Sequence, residues 1–511
     1  MTLLCVPIFV HDAQQARREA ALAAEAGADI VELRIDEMTE PFSVADFGIP
    51  CIVTNRPTWE GGRCELPDED RLQILAKTAE GAAYADVELE TLRRVADVPD
   101  KIARQLIVSA HDFQTRPAKL HNLMIAMNES PAAIAKIAWP ARTVRDNLEA
   151  FEILQRRQKP TIALCMGEAG IISRILAKKF GAFLTFASLE DGIGTAPGQV
   201  PIDRMKRLYR WDAIGPQTKV YGVVGSPIAH SISPAIHNAA FDQAGIDGVY
   251  VPLLVNEGYE SFKAFMERFV PFEGLDLAGL SITIPHKENA LRYLIEKGGQ
   301  IEPLARQIGA VNTIAIDRQN GEVRLSGRST DYAAILDSIT EKLQLKREDL
   351  AGFRVAVIGA GGTGRTAVAA LAHYGATVVV YNRTRDRAEA LATEFNGKSA
   401  KVVSAPIEKL CDSCCQIYIN TTSLGMHPNI DASAFGDNPP KLTSDQLVFD
   451  AVYNPIETKL LKQTEAAGAK TIGGVEMFVR QAAAQFEMWT GKSAPTEVMR
   501  RVVVGSLSPS T

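Results

Sequence analysis

From the N-terminus to about residue 213, short apolar runs alternate with longer segments of helical period. The runs are LLCVPIFV, IVELRI, CIVTNR, ADVEL, QLIVSA, AAIAKIAW, TIALCM and FLTFAS. Gln14 to Ala26, Glu69 to Ala82 and Thr143 to Arg157 are the clearest helical segments between them. Eight repeats of strand then helix predict an α/β fold, a parallel (β/α)8 barrel over residues 1–213. The segment is short for that fold, so the helical layer is expected to be incomplete, with a poor helix ahead of the strand that follows Thr39. Trp211 to Lys219, punctuated by Gly215-Pro216, reads as a linker too short to let its two sides wander. Beyond it, residues 218–335 mix strands and helices and residues 336–475 have the rhythm of a Rossmann-type nucleotide-binding domain. Helices from about 476 to 505 are expected to pack back on residues 218–335.

Alternation inside the strands carries more information. Val31, Leu33 and Ile35 share the face of VELRI that packs on helices in a barrel, so Glu32 and Arg34 point inward. The same parity pairs Thr54 with Arg56, Asp86 with Glu88, Ser109 with His111, and Lys136 with Ile134 and Ala138. Buried charges are expensive, so such a ring is either a paired structural layer or a site. The C-terminal ends of barrel strands are where active sites lie. Lys136 decides the chemistry: on an inward position among other cations it is expected to lose proton affinity and serve as an amine nucleophile toward a ketone. His111, on the preceding strand, suits proton transfer. Taken singly, they read as a snorkelling lysine and a hydrogen-bonded core histidine.

The second half is organised around Tyr221 to Asn238, YGVVGSPIAHSISPAIHN. A short apolar strand leads through a glycine to Ser231 and Ser233, and Pro234 suits the first turn of a helix. Two hydroxyls at a helix start either cap it or anchor a small carboxylate. Further on, Gly359-x-Gly361-x-x-Gly364 follows the strand RVAVI and precedes an alanine-rich helix. That pattern lets backbone approach a pyrophosphate, with Ala360, Gly362 and Thr363 completing the loop. After the next strand stand Asn382, Arg383 and Thr384, with Arg387 one turn on. An NAD site wants an acidic residue there; positive charge with amide and hydroxyl donors suits a 2′-phosphate, so the expected cofactor is NADP. Thr283 and Lys287 in SITIPHK, Asn312 in AVNT and Asp331 in GRSTD are the catalytic candidates. A lysine and an aspartate in one cleft form a proton-transfer pair for carbonyl reduction, although each alone reads as half of a surface ion pair.

Taken together, ELRID, TNR, WEGG, DVEL, SAHDF, IAKIA, ISR and TAPGQ resemble the type I 3-dehydroquinate dehydratases across the whole first half. The resemblance implies Lys136 as a Schiff-base lysine and His111 as its acid/base, oriented by Glu60. It puts Arg174 on the substrate carboxylate and Glu32, Arg34, Arg56 and Gln199 on hydroxyls, with Thr195 where the family usually has serine. A class I aldolase shares the lysine, but the HDF and EGG motifs count against it. The Ser231–Ser233 run, SITIPHK, AVNT, GRSTD, NTTSLGM, FDAVYNP and GGVEMFVRQ resemble shikimate dehydrogenases over nearly all of the second half. This implies Ser231 and Ser233 on a carboxylate and Lys287 with Asp331 in proton transfer. Thr283, Asn312, Tyr453, Gln481 and Gln485 would line the substrate; Thr421, Met426, Ala451 and Gly474 would lie by the cofactor. Ser329 stands where that family usually writes asparagine, and Ile282 where valine or cysteine is common. The implied reactions are dehydration of 3-dehydroquinate to 3-dehydroshikimate and NADPH-driven reduction of that product to shikimate. A quinate dehydrogenase shares the second fold, though Ser233 argues for shikimate. A metabolite sensor built on this scaffold is expected to have lost Lys136, His111, Lys287 or Asp331.

Composition adds bounds. The 511 residues are 46% hydrophobic, enough for several cores. A net charge of −6 with no polybasic run speaks against nucleic acid as a partner. No signal peptide or membrane span is read, so small-molecule substrates and a cytoplasmic location are expected. Seven cysteines fit reduced thiols; Cys411, Cys414 and Cys415 lack a second ligand cluster, so no metal is expected.

Overall fold

The computed structural model describes residues 1–95, 105–191, 197–229, 231–319, 321–397, 400–437 and 439–507. It resolves into two compact units, residues 1–234 with 247–277 and residues 235–246 with 278–511.

In the first unit each apolar run is a strand: β1 (Leu3–Phe9), β2 (Ile30–Arg34), β3 (Cys51–Thr54), β4 (Tyr84–Glu88), β5 (Leu106–His111), β6 (Ile134–Pro140), β7 (Thr161–Met166) and β8 (Leu184–Ser188). They pair in parallel in the order β7-β6-β5-β4-β3-β2-β1-β8, with the two-residue β9 (Val200–Pro201) beside β8. The Phe183 N–H, donating to the Thr161 carbonyl at 2.8 Å, draws β8 alongside β7 and curls the sheet into a barrel. Helices form where alanine and leucine recur at helical spacing. Ala13–Glu25 buries Ala16, Ala20 and Ala23, and Asp12 caps it by accepting from the Gln14 and Gln15 N–H groups at 2.8 Å. Residues 35–50, ahead of β3, hold no helix, as the sequence pattern led us to expect.

Inside the barrel the strands stack in layers set by their two-residue period. Cys5, Ile30, Ile52, Ile107, Ile134, Ile162 and Leu184, near the strand starts, form a buried apolar floor. Two residues further along come Glu32, Thr54, Asp86, Ser109 and Lys136; the next inward positions include Arg34, Arg56, Glu88 and His111. A hydrophobic floor thus carries a charged layer, closer to the ends of the strands.

The segment read as a linker is no free tether. Trp211 and Ile214 are buried, and buried Lys179 donates to the carbonyls of Pro216 (2.9 Å) and Thr218 (2.8 Å) and to Asp276 Oδ2 (2.8 Å). Phe151 and Phe180 stack with ring centroids 4.0 Å apart, with Phe272 tilted against both. The same unit holds the parallel pair β10 (Lys219–Gly225) and β11 (Gly248–Leu254).

The second unit contains the antiparallel strands β12 (Leu277–Ile282), β14 (Thr313–Gln319) and β15 (Glu322–Arg328), with β13 (Gln300–Ile301) parallel to β15. It also contains a six-stranded parallel sheet. Its strands are β16 (Arg354–Ile358), β17 (Thr377–Tyr381), β18 (Val402–Ala405), β19 (Ile417–Asn420), β20 (Leu447–Asp450) and β21 (Lys470–Ile472), in the order β18-β17-β16-β19-β20-β21. The strands are all parallel, but the order of addition switches sides between β16 and β19, which makes the end of β16 the switch point where such sheets bind ligands. The long helix Gly474–Thr490 packs against the helix Thr330–Leu343 and against β14. Among the described residues no helix is long and apolar enough to cross a membrane.

Candidate active sites

The barrel's cavity is lined by Glu32, Arg34, Arg56, Glu60, His111, Lys136, Arg174 and Gln199, together with Gly61, Phe113, Ala138, Leu164, Met166 and Phe186. Thr195 lies outside the described residues. At the cavity's centre, Lys136 Nζ is 2.9 Å from Glu32 Oε1 and 2.9 Å from Asp86 Oδ2, with the Phe186 ring centroid at 4.7 Å. The arginines that a sequence reader counts as neighbouring cations are already neutralised. Arg56 donates to Asp86 (2.6 Å), Glu88 (2.8 Å), Glu60 (3.4 Å) and Ser109 (2.7 Å), and Arg34 to Asp36. The expectation that Lys136 loses proton affinity is therefore corrected. Burial works in that direction, but the Asp86 and Glu32 carboxylates outweigh it and hold the ammonium above the usual lysine range.

His111 obeys the opposite balance. Burial, then the positive charge of Arg56 and Lys136, push it well below the usual histidine range, so the ring is neutral near pH 7. Its Nδ1 lies 2.9 Å from Glu60 Oε1, which also accepts the His111 backbone N–H at 3.0 Å. Burial raises the Glu60 carboxyl to about 8, Arg56 opposing and Glu88 and Asp86 reinforcing. Where Glu60 is ionised and the ring proton sits on Nδ1, donated to Glu60 Oε1, Nε2 presents a lone pair to the cavity. Phe113 stacks on His111, ring centroids 6.1 Å apart, and seats against Gly61, where an added Cβ would fall 2.2 Å from the Phe113 ring.

Arg174 is the cavity's uncompensated cation. Its Nη1 donates to the Cys165 carbonyl at 2.6 Å and its Nη2 approaches the Pro197 carbonyl at 3.4 Å, but buried Nε has no partner. No carboxylate lies within ion-pair distance of it among the described residues, and burial lowers its pKa to about 10. A guanidinium in this state is ready for an incoming carboxylate.

In the second unit Lys287 opens the helix Lys287–Glu296 and Asp331 lies in the first turn of Thr330–Leu343, Nζ to Oδ2 being 2.7 Å. The Asn312 side chain ties these elements together, accepting from the Thr330 N–H (2.8 Å) and donating to Thr330 Oγ1 (3.0 Å). The Val311 N–H donates to the Lys287 carbonyl. Gln485 is buried, accepting from Ser281 Oγ at 2.7 Å and donating to Thr313 Oγ1 at 3.1 Å. Thr283 lies in the turn after β12, Gln481 is half-buried, and Tyr453 stacks on Phe478 with centroids 5.1 Å apart. Ser231 and Ser233 belong to the first unit. There Ser231 Oγ accepts the Ser233 N–H at 3.3 Å, at the start of the helix Ser233–Gln243.

The glycine turn fits a dinucleotide. Gly359 has φ +110°, and a Cβ on Gly364 would stand 2.2 Å from the Gly359 carbonyl oxygen, so both positions need glycine. Gly361 precedes the helix Gly362–His373 and no side chain caps it, which leaves the first amides of Gly362, Thr363 and Gly364 for phosphate oxygens. The Ala360 N–H is held by Asn382 Oδ1 at 3.2 Å. Beyond β17, Thr384 precedes the helix Arg385–Phe395; Arg385 is paired with Glu389, whereas Arg383 and Arg387 are exposed with no ion-pair partner among the described residues. Thr421 bonds the Ile358 carbonyl at 2.8 Å beside the turn. Gly474 touches the Ala451–Val452 backbone so closely that a Cβ would fall 2.5 Å from Val452, and Met426 is exposed.

Sequence reasoning named Asp86 and Glu88 by parity without assigning them to the site, and it missed Phe186 and Arg71. Phe186 follows from the same parity applied to β8. Arg71 gives no such signal, because DEDRLQ reads as a solvated helix start. The seven cysteines are all free, and no described group of histidines, cysteines or carboxylates is arranged to hold a metal ion.

Fold and sites define a two-enzyme chain, an amine-bearing barrel followed by a dinucleotide-dependent dehydrogenase. Residues 4–216 match the type I 3-dehydroquinase family, residues 223–314 the shikimate dehydrogenase substrate binding domain, residues 341–463 the shikimate/quinate 5-dehydrogenase family and residues 474–504 the shikimate 5′-dehydrogenase C-terminal domain. The chloroplastic bifunctional 3-dehydroquinate dehydratase/shikimate dehydrogenase of Arabidopsis thaliana is 38% identical over 98% of this chain and 84% of its own. The shikimate dehydrogenase (NADP(+)) of Methanosarcina barkeri is 39% identical over 57% of this chain and 99% of its own. A solved shikimate dehydrogenase in complex with NADP+ is 35% identical, with a TM-score of 0.50 over 58% of this chain and 98% of that one. The chain belongs to the bifunctional 3-dehydroquinate dehydratase/shikimate dehydrogenase family.

Proposed function

We propose that the two sites act in series on small molecules, with residues 1–213 as the dehydratase, 218–335 as the dehydrogenase's substrate domain and 336–475 as its NADP domain. Lys136, buried at the centre of a cavity that also holds a neutral histidine and a free guanidinium, carries the first assignment. Arg174 takes the carboxylate of 3-dehydroquinate, and Glu32, Arg34, Arg56 and Gln199 hold its hydroxyls. Lys136 must first release a proton; Glu32, at 2.9 Å and not shared with Arg56, is the acceptor in direct contact. The amine then adds to the ketone and loses water to give an iminium, an electron sink for the next step. His111 Nε2 removes the adjacent proton and, protonated, returns it to the departing hydroxyl, so that water leaves. Hydrolysis of the iminium returns Lys136 and releases the enone 3-dehydroshikimate.

In the dehydrogenase, Ser231 and Ser233 receive the substrate carboxylate and Thr283, Asn312, Tyr453, Gln481 and Gln485 shape its surroundings. NADPH, when bound, supplies the hydride. The protein's share is to hold its phosphates on the Gly359–Gly364 turn, its 2′-phosphate on Arg383 and Arg387 with Asn382 and Thr384, and its nicotinamide by Met426, Ala451 and Gly474. Lys287, fixed by Asp331, gives the proton that completes the new hydroxyl. Free cysteines support a reducing compartment, and we place the enzyme in the cytoplasm.

The test supplies 3-dehydroquinate with and without NADPH and follows enone and cofactor together. Enone should accumulate without NADPH, and NADPH should be consumed when present. Enone without NADPH consumption would sink the second assignment, and no enone from folded protein would sink the first. Faster oxidation of quinate than of shikimate would reassign the second half.

A further inference from the structure

Arg71 lies on the helix Asp68–Thr78, outside the cavity, with no exposed surface. Every arm of its guanidinium is committed: Nε to Asp68 (2.8 Å), Nη1 to the Asn55 carbonyl (2.9 Å), and Nη2 to Glu88 Oε2 (2.6 Å) and Thr91 Oγ1. Glu88 is a bridge between layers. Its Oε2 faces outward to Arg71 and Thr91, and its Oε1 faces the barrel interior, accepting from Arg56. Arg56 in turn grips Asp86, and Asp86 grips Lys136. Charges alternate in sign along the whole line from Asp68 through Arg71, Glu88, Arg56 and Asp86 to Lys136. Arg71 therefore reaches Arg56 twice, through Glu88 and through the backbone carbonyl of the residue before it.

A buried ion pair adds little net stability over an apolar replacement, so a fully buried arginine behind the site is poorly explained as a staple. Its position is better explained by what it does to the groups downstream. We propose that Arg71 is a positioning residue of the dehydratase, holding Glu88 so that Arg56 and Asp86 keep Lys136 in place. This rests on the assignment of Lys136 to Schiff-base chemistry. Lys136 is faced by Glu32 from β2, Arg56 after β3, Asp86 from β4 and the Phe186 ring from β8; His111 is faced by Glu60, Arg56, Lys136, Asp86 and Arg34. With Arg71 replaced by a neutral residue, Glu88 draws Arg56 away from Asp86 and the region loses one positive charge. Both changes raise the proton affinity of Lys136 and His111, so the acid limb of activity moves to higher pH.

The experiment compares Arg71→Met, Arg71→Lys, Glu88→Gln and the Arg71→Met/Glu88→Gln pair in the full chain, with wild type alongside. Dehydrogenase activity normalises the amount of protein, and far-UV circular dichroism with barrel unfolding in urea shows that the first unit is folded. For Arg71→Met we expect dehydratase kcat down about tenfold or more, KM within about threefold and an acid limb moved up by about half a pH unit or more. Arg71→Lys should recover most of both, and the pair should lose less than the product of the single losses. An unmoved pH profile, or Arg71→Lys no better than Arg71→Met, would overturn the proposal and leave a structural arginine. If Arg71→Met yields no folded barrel, Glu88→Gln decides: it removes a negative charge and leaves Arg56 to Asp86, so its acid limb should move to lower pH, and an unmoved limb would overturn the proposal. A wild type without dehydratase turnover would fault the assignment of the barrel itself rather than Arg71.

Discussion

Lys136 and Lys287 each face an aspartate at under 3 Å, yet they sit in different surroundings. Lys136 has 6% of its side chain exposed and two carboxylates, each locked by further donors. Lys287 has 35% exposed, and Asp331 is its carboxylate partner. On the roles proposed for them, the difference follows from what each must do. An amine that becomes covalently bound needs a site whose charges are already in place and whose water is excluded, because nothing else supplies the electron sink. A lysine that only completes a hydride transfer leaves the demanding step to a cofactor and must leave room for it. Two ion pairs of one chemical type thus serve opposite designs, one closed and over-determined, the other open.

The largest expected effect comes from Lys136→Met. Dehydratase activity should vanish while the same protein still reduces 3-dehydroshikimate with NADPH; a parallel loss of both would mean the sites are not separable. Lys287→Met should do the reverse, slowing shikimate oxidation by about 10²–10⁴ with dehydratase turnover intact. The ion pairs themselves can be ranked by urea unfolding, each half followed by its own activity. Asp86→Asn, which strands a buried ammonium beside a single remaining carboxylate, should cost about 3–5 kcal/mol, and Asp331→Asn about 1 kcal/mol or less. Equal costs would erase the distinction between closed and open sites. Next comes cofactor choice: replacing Arg383 and Arg387 with serine should raise the KM for NADPH by roughly 10–100-fold and leave that for NADH nearly unchanged.

A pH effect concerns His237, whose burial depresses it to about 3, a hydrogen bond to Gln485 opposing. The unfolded chain binds its proton near pH 6.5 and the folded one only near 3. The stabilisation is therefore complete above pH 6.5 and drains away as pH falls, by roughly 2 kcal/mol at pH 5. Thermal unfolding of wild type should show that decline and His237→Leu should flatten it; identical pH slopes would count against it.

Much of this was legible in the sequence because the period of a strand is two. Once Val31, Leu33 and Ile35 were assigned outward, Glu32, Arg34 and, on the neighbouring strands, Lys136 and His111 had to face the interior. The glycine turn was equally readable, since Gly359 and Gly364 stand where no side chain fits. Parity gives a direction and no distance, which is why the reading of Lys136 went wrong. It placed the lysine among cations without showing that Asp86, fifty positions away, takes both Arg56 and the ammonium. Arg71 was hidden for a related reason: a helix that starts DEDR looks solvated until Glu88 is found behind it. Lys179, which pins the carbonyls of the inter-domain segment, looked like one more basic residue in an AKK run.

The most direct measurement is borohydride reduction of the enzyme during turnover of 3-dehydroquinate, followed by peptide mapping. A substrate-derived mass should appear on the peptide carrying Lys136 and be missing from Lys136→Met, which still oxidises shikimate with NADP+. A stable adduct on another lysine, or full turnover with no trappable adduct, would contradict the account.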